Sequence, residues 1–173
     1  MIRADGKEIA DLARELARVV SDVPAVFAQS AGNVAKLSGP IAISEVTAIY
    51  NLPQKRAESS INSRAQGPIV YTFAKARAPS LKEFGGAQVA RGYQAEIKHG
   101  KRRLVRGGFA AAKFAGLPLK RVGKERYPLK VLYGPKVSSM LRNREVSPRF
   151  ALRQADAARA ELTRQMFTRL DRR

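Results

Sequence analysis

The chain contains no cysteine, no tryptophan and a single histidine, His99, among its 173 residues. The absence of cysteine excludes a disulfide framework and thiolate metal sites, and it is compatible with a reducing compartment. A general base needs a partner that orients it, and a metal ion needs several ligands, so we interpret His99 as a solvated turn residue. We therefore expect no catalytic residue, no metal or other cofactor, and no enzyme activity.

Long apolar runs are also missing. No stretch approaches the roughly 20 consecutive apolar residues that span a bilayer, and residues 1–8 lack the apolar core of a secretion signal. We therefore expect a protein that is made and kept soluble inside a cell, without a membrane partner. Hydrophobic residues still make up 45% of the chain. This is enough to bury a core, and the length favours one domain.

Acidic residues are scarce in most of the chain. The formal net charge is +19. Residues 1–50 carry five cationic and six acidic side chains, whereas residues 51–173 carry 28 and 8. Between Lys98 and Lys136 there are twelve lysines and arginines and one acid, Glu125. A compact domain with this excess repels itself unless an anion lies nearby, which favours nucleic acid first, and otherwise an acidic protein surface or an anionic membrane.

The first 66 residues are predicted to be mainly helical. Asp5 and Glu8 have the spacing of a capping box. We expect Pro24 to end the first helix or to begin the next, and a weaker helical pattern to continue to a break at Gly39-Pro40. Apolar residues recur at the spacing of one face of an amphipathic helix. This stripe comprises Ile9, Leu12, Ala13, Leu16, Val19, Val20 and Val23.

Residues 44–61 predict two short helices about a turn at residues 51–53. Gln54, Lys55 and Arg56 open the second helix, which imitates a helix-turn-helix reader of the DNA major groove. The usual small residue in the turn is replaced by Asn-Leu-Pro. The other interpretation is a helical hairpin that packs on a sheet. This segment leaves a non-catalytic DNA-binding protein open as the alternative function.

Residues 67–142 are predicted to form a basic, β-rich part of the same domain. Apolar alternation and turn residues indicate antiparallel strands, with a loop over residues 78–86. The expected strands are residues 68–74, a hairpin over 93–105 that turns near His99-Gly100, a pair over 107–122 and a short strand over 127–133.

Residues 147–172 are predicted to form a long C-terminal helix. Ser147 and Pro148 suit its start, because a hydroxyl can cap free amides and proline is tolerated at the first helical position. Glu161 is placed to pair with Arg164. Helices at both ends of a small, largely antiparallel sheet make an α+β domain. The expected apolar stripe comprises Ala151, Ala155, Ala158, Leu162, Met166 and Leu170.

Two groups of cations are candidates for contact with nucleic acid or with an acidic partner. One interpretation is a solvated hairpin with dispersed charge. The other is contact with an acidic protein or with a phosphate backbone, which would be independent of sequence and sensitive to salt. Few aromatic residues alternate with these cations, which disfavours a stacking platform for single strands. The candidate residues are Lys98, Lys101, Arg102, Arg103, Arg106, Lys120, Arg121, Lys124 and Arg126.

The most specific pattern lies in residues 121–141. An arginine-rich turn is followed by a proline-led strand, a "YGP" turn and a Met-Leu pair. With the upstream "LKEFGGAQ" and "RGGFAAA", this order resembles the minor tail protein Z family of tailed bacteriophages, from about residue 44 to the C-terminus. Leucine stands where isoleucine more commonly follows the proline. The residues that carry the resemblance are Arg121-Val122-Gly123-Lys124 with Arg126, Pro128-Leu129, Leu132-Tyr133-Gly134-Pro135 and Met140-Leu141.

The resemblance implies a structural virion protein without a catalytic site. Its place would be the head-proximal end of a phage tail, as a tail-completion or neck component found in the virion and, during assembly, in the host cytoplasm. The implied partners are further copies in a ring, the tail terminator or tube, head–neck connector proteins, and genomic double-stranded DNA in the channel. Residues 132–141 would then dock on a neighbour or on the core. The candidate subunit-interface residues are Leu132, Tyr133, Gly134, Pro135, Val137, Met140 and Leu141.

Overall fold

The computed structural model describes the backbone of residues 6–170 and the side chains of residues 23–168. In this part of the chain, a long N-terminal helix and a long C-terminal helix accompany three small antiparallel sheets. The predicted α+β class is confirmed, with three sheets in place of the one expected. The helices are α1 (Gly6–Ile49), α2 (Gln54–Glu58), α3 (Val137–Leu141) and α4 (Ser147–Leu170).

The strands follow the order of the chain. The sheets are β1–β2, β3–β4–β5 and β6–β7–β8, with antiparallel neighbours throughout. Every expected strand is present, whereas β1 and β3 are not predicted by the sequence. Strand β1 is largely polar, and pairing with β2 makes it a strand. The strands are β1 (Ile61–Gln66), β2 (Ile69–Ala74), β3 (Ala87–Val89), β4 (Gly92–Lys98), β5 (Lys101–Arg106), β6 (Gly108–Ala111), β7 (Leu117–Arg121) and β8 (Leu129–Val131).

Helix α1 runs without interruption through Pro24 and Pro40, so the breaks expected at these prolines are wrong. A proline inside a helix costs about 3 kcal/mol, because it removes a hydrogen bond and crowds the preceding turn. Around Pro40 the buried face continues on both sides, with Val34 before it and the fully buried Ala42 and Val46 after it. Packing of this face offsets the local cost.

Two predictions on α1 fall partly outside the description. The capping box of Asp5 and Glu8, and the apolar stripe as far as Val20, lie on residues whose side chains the structure does not describe. Val23, the last residue of that stripe, is 41% exposed. Among the described helices, none combines the length and the apolarity needed to span a bilayer.

The core lies where the end of α1 meets β4, α3 and a short 3-10 helix, Leu81–Phe84, within the expected loop. Phe84, Tyr93 and Met140 are among its fully buried side chains. Backbone hydrogen bonds join the end of α1 to the β4–β5 hairpin, since Asn51 N–H donates to Ile97 O at 3.1 Å and His99 N–H to Ile49 O at 3.1 Å. Both hydrogen bonds lie close to the turn at His99-Gly100, so the end of α1 holds the hairpin near its tip.

Gly134 does not form the turn that the sequence predicts. No turn is assigned to residues 132–136. Tyr133 forms a β-bridge with Ser80, and Gly134 N–H donates to Pro79 O at 2.8 Å. A Cβ at Gly134 would lie 2.3 Å from Cε2 of Phe84. Glycine is required here because the backbone passes directly over the Phe84 ring.

Helix α4 begins at Ser147 as predicted, but Ser147 is not its cap. Its own N–H already donates to Asn143 O at 2.8 Å, and Asn143 Oδ1 accepts from Glu145 N–H at 2.9 Å. The side chain of Asn143 therefore begins the helical turn from four residues upstream.

The face of α4 that packs on α1 carries buried polar side chains, so the predicted apolar stripe is wrong in part. Ala158 and Leu162 are half-buried, and the side chain of Leu170 lies outside the described residues. Ala151, Ala155 and Met166 are exposed, whereas Glu161 and Gln165 are buried. The reason is that α1 presents polar groups to α4. Three hydrogen bonds join the two helices, with the α1 residue named first: Asn33 with Glu161 (2.6 Å), Ser38 with Gln154 (3.0 Å) and Glu45 with Arg153 (2.7 Å). The predicted pairing of Glu161 with Arg164 is confirmed at 2.7 Å.

Candidate anion-binding site

The β4–β5 hairpin presents its cations on two faces. Arg103 pairs in register with Ala95, and Val105 with Tyr93, so these side chains share the inner face of the sheet with buried neighbours. Because successive side chains of a strand point to opposite faces, Arg102 and every second residue from it lie on the outer face. The hairpin thus divides its charge between solvent and the interior side.

Lys98 is not a free cation of this hairpin. Its Nζ lies 2.8 Å from Oε1 of Glu145 and 5.6 Å from the centre of the Tyr50 ring. The hydrogen bond between the two side chains raises the pKa of Lys98 and lowers that of Glu145. The ammonium group joins β4 to the segment before α4, so this predicted contact residue is already paired within the chain and is not available to an external anion.

Arg102 is also paired, although it remains exposed. Its Nε lies 3.3 Å from Oε2 of Glu96, the residue opposite it in the sheet. A hydrogen bond from Gly100 N–H, and then the one from Arg102, lower the pKa of Glu96. Glu96 therefore stabilises the hairpin turn and neutralises one of the cations of the hairpin, Arg102.

The third sheet places two lysines side by side. Lys120 on β7 pairs in register with Lys130 on β8 and with Gly108 on β6, so both ammonium groups leave the same face. Leu119 is buried on the other face, and the Arg121 guanidinium lies 5.9 Å from the centre of the Phe109 ring. Like charges directly opposite each other in a sheet are destabilising.

The second and third sheets meet at Gly108. A Cβ there would lie 3.0 Å from Cβ of Tyr93 and 3.1 Å from Cδ1 of Leu132, so glycine allows the close approach. Beside this contact is a cavity of about 450 Å³ that we call the inter-sheet groove. Its lining residues are Leu81, Ile97, Arg103, Val105, Lys120, Arg121, Val122, Lys130, Leu132 and Tyr133.

A second concavity, the glycine-rich hollow, shares Lys120 and Arg121 with the groove. Its volume is about 600 Å³. Arg91 adds a third cation, and much of the remaining lining is backbone. The lining residues are Gln88, Ala90, Arg91, Gly92, Gly107, Gly108, Phe109, Lys120, Arg121 and Gly123.

The groove cations lack carboxylate partners within the described part of the chain. No described ion pair involves Arg103, Lys120, Arg121 or Lys130. All four side chains are exposed, but they converge on one concave surface with apolar side chains at its base. Such a site attracts an anion, because each added negative group interacts with several cations at once.

The other predicted contact residues lie outside both concavities. Lys101 and Arg106 are exposed on β5, and Lys124 and Arg126 are exposed in the loop between β7 and β8. Lys130 is not among the contact residues predicted from the sequence. Alternation of apolar and cationic residues in Pro128–Leu132 could have placed Lys130 beside Lys120, had the strand register been known.

Most of the predicted subunit-interface residues lie in the chain's own interior. Val137 and Met140 are fully buried in the core, and Leu132 and Leu141 pack against it. Val137 and Met140 therefore dock on the core and are not available to a neighbouring subunit. Of the seven candidates, Tyr133 is the exposed one, at 56%. Gly134 and Pro135 are partly buried.

A different apolar surface was missed. The inner face of the β1–β2 sheet packs on α1, and its outer face carries Ile69, Tyr71 and Phe73, each between 43% and 53% exposed. The Arg64 guanidinium lies 5.7 Å from the centre of the Phe73 ring. The signal was present in residues 69–74, which are mostly apolar in both alternating sets and so have no polar outer face.

The segment 44–61 does not form two short helices, because its first part is the end of the 44-residue helix α1 and its second helix is short. Helix α2 has five residues and ends at Glu58, so the helix expected to reach residue 61 is wrong in length. Arg56 Nε lies 3.0 Å from Glu83 Oε2, and Gln54 donates to Glu58 at 2.8 Å. Two of the three predicted base-reading side chains are therefore engaged within the chain.

His99 lies at the hairpin tip, where its Nε2 is 3.0 Å from Thr47 O. Among residues with described side chains, no cluster of three or more histidines or carboxylates could hold a metal ion. Comparison with protein families, with curated proteins and with solved structures finds no match for this chain. The chemistry of the groove and the resemblance in residues 121–141 are therefore the features that bear on function.

Proposed function

We propose that this chain is a structural virion protein at the head-proximal end of a phage tail. It would act as a tail-completion or neck component, assemble as a ring and take part in joining the head to the tail. The observation that carries the proposal is the inter-sheet groove, in which Arg103, Lys120 and Lys130 converge without a described carboxylate partner. Their role is to hold an anionic neighbour within an assembly.

The groove and the resemblance involve the same residues. Half of the groove lining comes from residues 121–141, the segment that resembles the minor tail protein Z family. That segment contains β8, which carries Lys130, and the two residues that follow β8, the apolar Leu132 and the exposed Tyr133. The most specific part of the sequence therefore builds a cationic surface, which supports a role in assembly.

A ring makes weak charge contacts effective. Each subunit presents the same cations, so contacts that are individually weak add through avidity. Cations outside the groove, such as Arg106 and Lys124, would face connector or tube proteins or the genomic DNA in the channel. Phosphate contact would suit DNA that slides, because it attracts without fixing a register.

The contact between copies is assigned to the exposed face of β2. Ile69, Tyr71 and Phe73 form an apolar stripe on a sheet whose two strands pair only with each other in the described structure. A subunit contact requires such a surface, since aromatic side chains supply most of the energy at protein interfaces. The alternative function, DNA binding through residues 44–61, gains no support from a helix as short as α2.

The test combines detection and complementation. Virions are purified from cells that carry this gene, and the polypeptide is sought in them by mass spectrometry. A null mutant is then complemented with the triple variant Arg103→Glu, Lys120→Glu and Lys130→Glu. We expect the chain in the particles, and we expect joined, infectious particles to fall by at least about tenfold with the variant, with heads and tails accumulating separately.

The matched control changes the same charge elsewhere. Lys113→Glu, Lys136→Glu and Arg144→Glu also replace two lysines and one arginine with glutamate, at exposed positions outside both concavities. This variant should complement the null mutant. Absence of the polypeptide from purified virions, or equal complementation by the two triple variants, would overturn the proposal.

A further inference from the structure

The base of the inter-sheet groove is apolar. Leu81 is buried at 4% exposure, and Ile97, Val105 and Leu132 are half-buried beside it. Water in contact with these side chains finds few hydrogen-bond partners, so an apolar group that displaces it binds favourably. An anion alone, such as a phosphate group, would leave this part of the groove unfilled.

The walls of the groove are positively charged at several points, so a ligand that fills it needs several negative groups. Arg103 enters from β5, and the adjacent Lys120 and Lys130 enter from β7 and β8. The cations thus come from two different sheets and three strands. An extended peptide fits this arrangement, because its side chains alternate every 3.3 Å or so and can present carboxylates to both walls.

Duplex DNA fits the groove less well than a peptide does. Its backbone offers phosphates on a wide, convex surface and no apolar side chain that could enter a cavity of about 450 Å³ between two sheets. The exposed cations of the hairpin and the β7–β8 loop, such as Arg106 and Lys124, are the accessible partners for phosphates. The groove and the outer surface therefore favour different anions.

We propose that the inter-sheet groove is a docking site for an acidic peptide segment of another protein, with a large apolar side chain among its carboxylates. The carboxylates pair with Arg103, Lys120 and Lys130, and the apolar side chain rests on Val105 and the residues beneath it. Placing this peptide on a neighbouring virion protein rests on the proposed function, but the binding chemistry follows from the groove alone.

The experiment uses the full-length chain and two fluorescein-labelled peptides, DELFDEDE and DEGSDEDE. The peptides carry the same charge, and the first alone has an apolar anchor. Fluorescence anisotropy at physiological ionic strength gives both affinities. We expect DELFDEDE to bind at least about tenfold more tightly, because burial of a leucine or phenylalanine side chain in an apolar site contributes that much or more.

Two double variants locate the binding. Arg103→Glu with Lys130→Glu should weaken the binding of DELFDEDE by at least about tenfold, because both walls become repulsive. Lys113→Glu with Arg144→Glu changes the net charge equally and should weaken it by less than about threefold, through screened long-range attraction alone. Circular dichroism checks the fold, and Arg103→Gln with Lys130→Gln replaces the first variant if that variant unfolds.

Three results would overturn the inference. These are equal affinity for the two peptides, equal losses in the two double variants, or binding of a random DNA duplex that depends on Arg103 and Lys130 while peptide binding does not. The proposed function fails separately, on the content of the virion. Particles that contain and need the chain, with a groove that binds neither peptide, would contradict this inference and leave the proposed function intact.

Discussion

The Glu161 carboxylate on α4 accepts several hydrogen bonds, and the one from Asn33 links α4 to α1. Arg164 Nη2 donates to its Oε1 at 2.7 Å, Gln165 Nε2 at 2.8 Å and Asn33 Nδ2 at 2.6 Å. The hydrogen bonds from Arg164, and then those from Gln165 and Asn33, lower the pKa of Glu161 from 4.5 to about 2, against the opposite effect of burial. The ionised carboxylate therefore stabilises the contact between the two helices.

Replacing Glu161 with glutamine should make this contribution visible as a function of pH. Because the folded-state pKa is depressed, the stabilisation is complete above about pH 4.5 and is lost as the pH falls towards about 2. At neutral pH we expect Glu161→Gln to lower the free energy of unfolding by about 1–2 kcal/mol, allowing for solvent screening at the exposed Arg164. Urea denaturation at neutral and acidic pH measures the difference.

The control for this prediction is Asp156→Asn. Asp156 lies on the same helix, 3.5 Å from Arg159, with both side chains exposed. Its replacement should change the free energy of unfolding by less than about 0.5 kcal/mol. A deficit in Glu161→Gln that stays constant from neutral to acidic pH would show that the charge of Glu161 is not the cause.

Gly134 shows how far a single residue can be understood from sequence. The "YGP" pattern marks the position, and conventional turn chemistry explains glycine and proline together. The structure gives a different reason, since the Phe84 ring leaves no room for a Cβ. Phe84 is 50 residues away in the chain, and no local pattern can reveal a distant ring.

At the scale of elements, β2 has an apolar residue at most positions of both faces. Its inner face packs on α1, and its outer face is left with Ile69, Tyr71 and Phe73. The β1–β2 sheet has only two strands and no layer over that outer face in the described structure. This element therefore carries apolar surface beyond what the chain's own core uses.

The double variant Tyr71→Ser with Phe73→Ser should weaken self-association by at least about tenfold, because it removes two aromatic side chains from the assigned contact. Light scattering after size-exclusion chromatography, over a range of concentrations, measures the association. The melting temperature should change little, since both side chains are exposed.

The matched control for this surface lies on α4. Leu152→Ser with Met166→Ser removes two apolar side chains of 64% and 59% exposure. Self-association should be unaffected by this pair. If the α4 variant dissociates the oligomer and the β2 variant does not, the contact between copies lies on α4 and our assignment is wrong.

At the scale of the whole molecule, the positive charge is concentrated in the β-rich part of the chain. The net charge is +19, and residues 1–50 contribute none of the excess. Folding then pairs some cations internally, such as Lys98, and leaves others exposed on the hairpin and the β7–β8 loop. The exposed set determines how the protein interacts with polyanions at a distance.

Binding to a random DNA duplex should therefore depend strongly on salt and little on sequence. We expect the affinity to fall by at least about tenfold when the salt concentration rises from roughly 50 to 200 mM, because several phosphate contacts release counterions together. Anisotropy titrations with two unrelated duplexes measure this. An affinity that is independent of salt, or a strong preference for one duplex, would favour a sequence-specific reader over the proposed role.

The sequence by itself determined the features that depend on neighbouring residues. These are the α+β class, the hairpin that turns at His99-Gly100, the start of α4 at Ser147 and the excess of positive charge. Periodicity, turn chemistry and composition are properties of contiguous segments, so they can be recognised before folding. Pro40 of α1 is an exception, because packing of the helix on both sides of it outweighed the local preference.

Only the tertiary structure decided which cations act together. Lys98 and Arg103 belong to the same predicted hairpin, yet one is paired with Glu145 and the other lines the groove with Lys120 and Lys130. The difference arises from the pairing and packing of strands that are far apart in the chain. Strand register fixes the face on which each side chain lies, and register is a property of the assembled sheets.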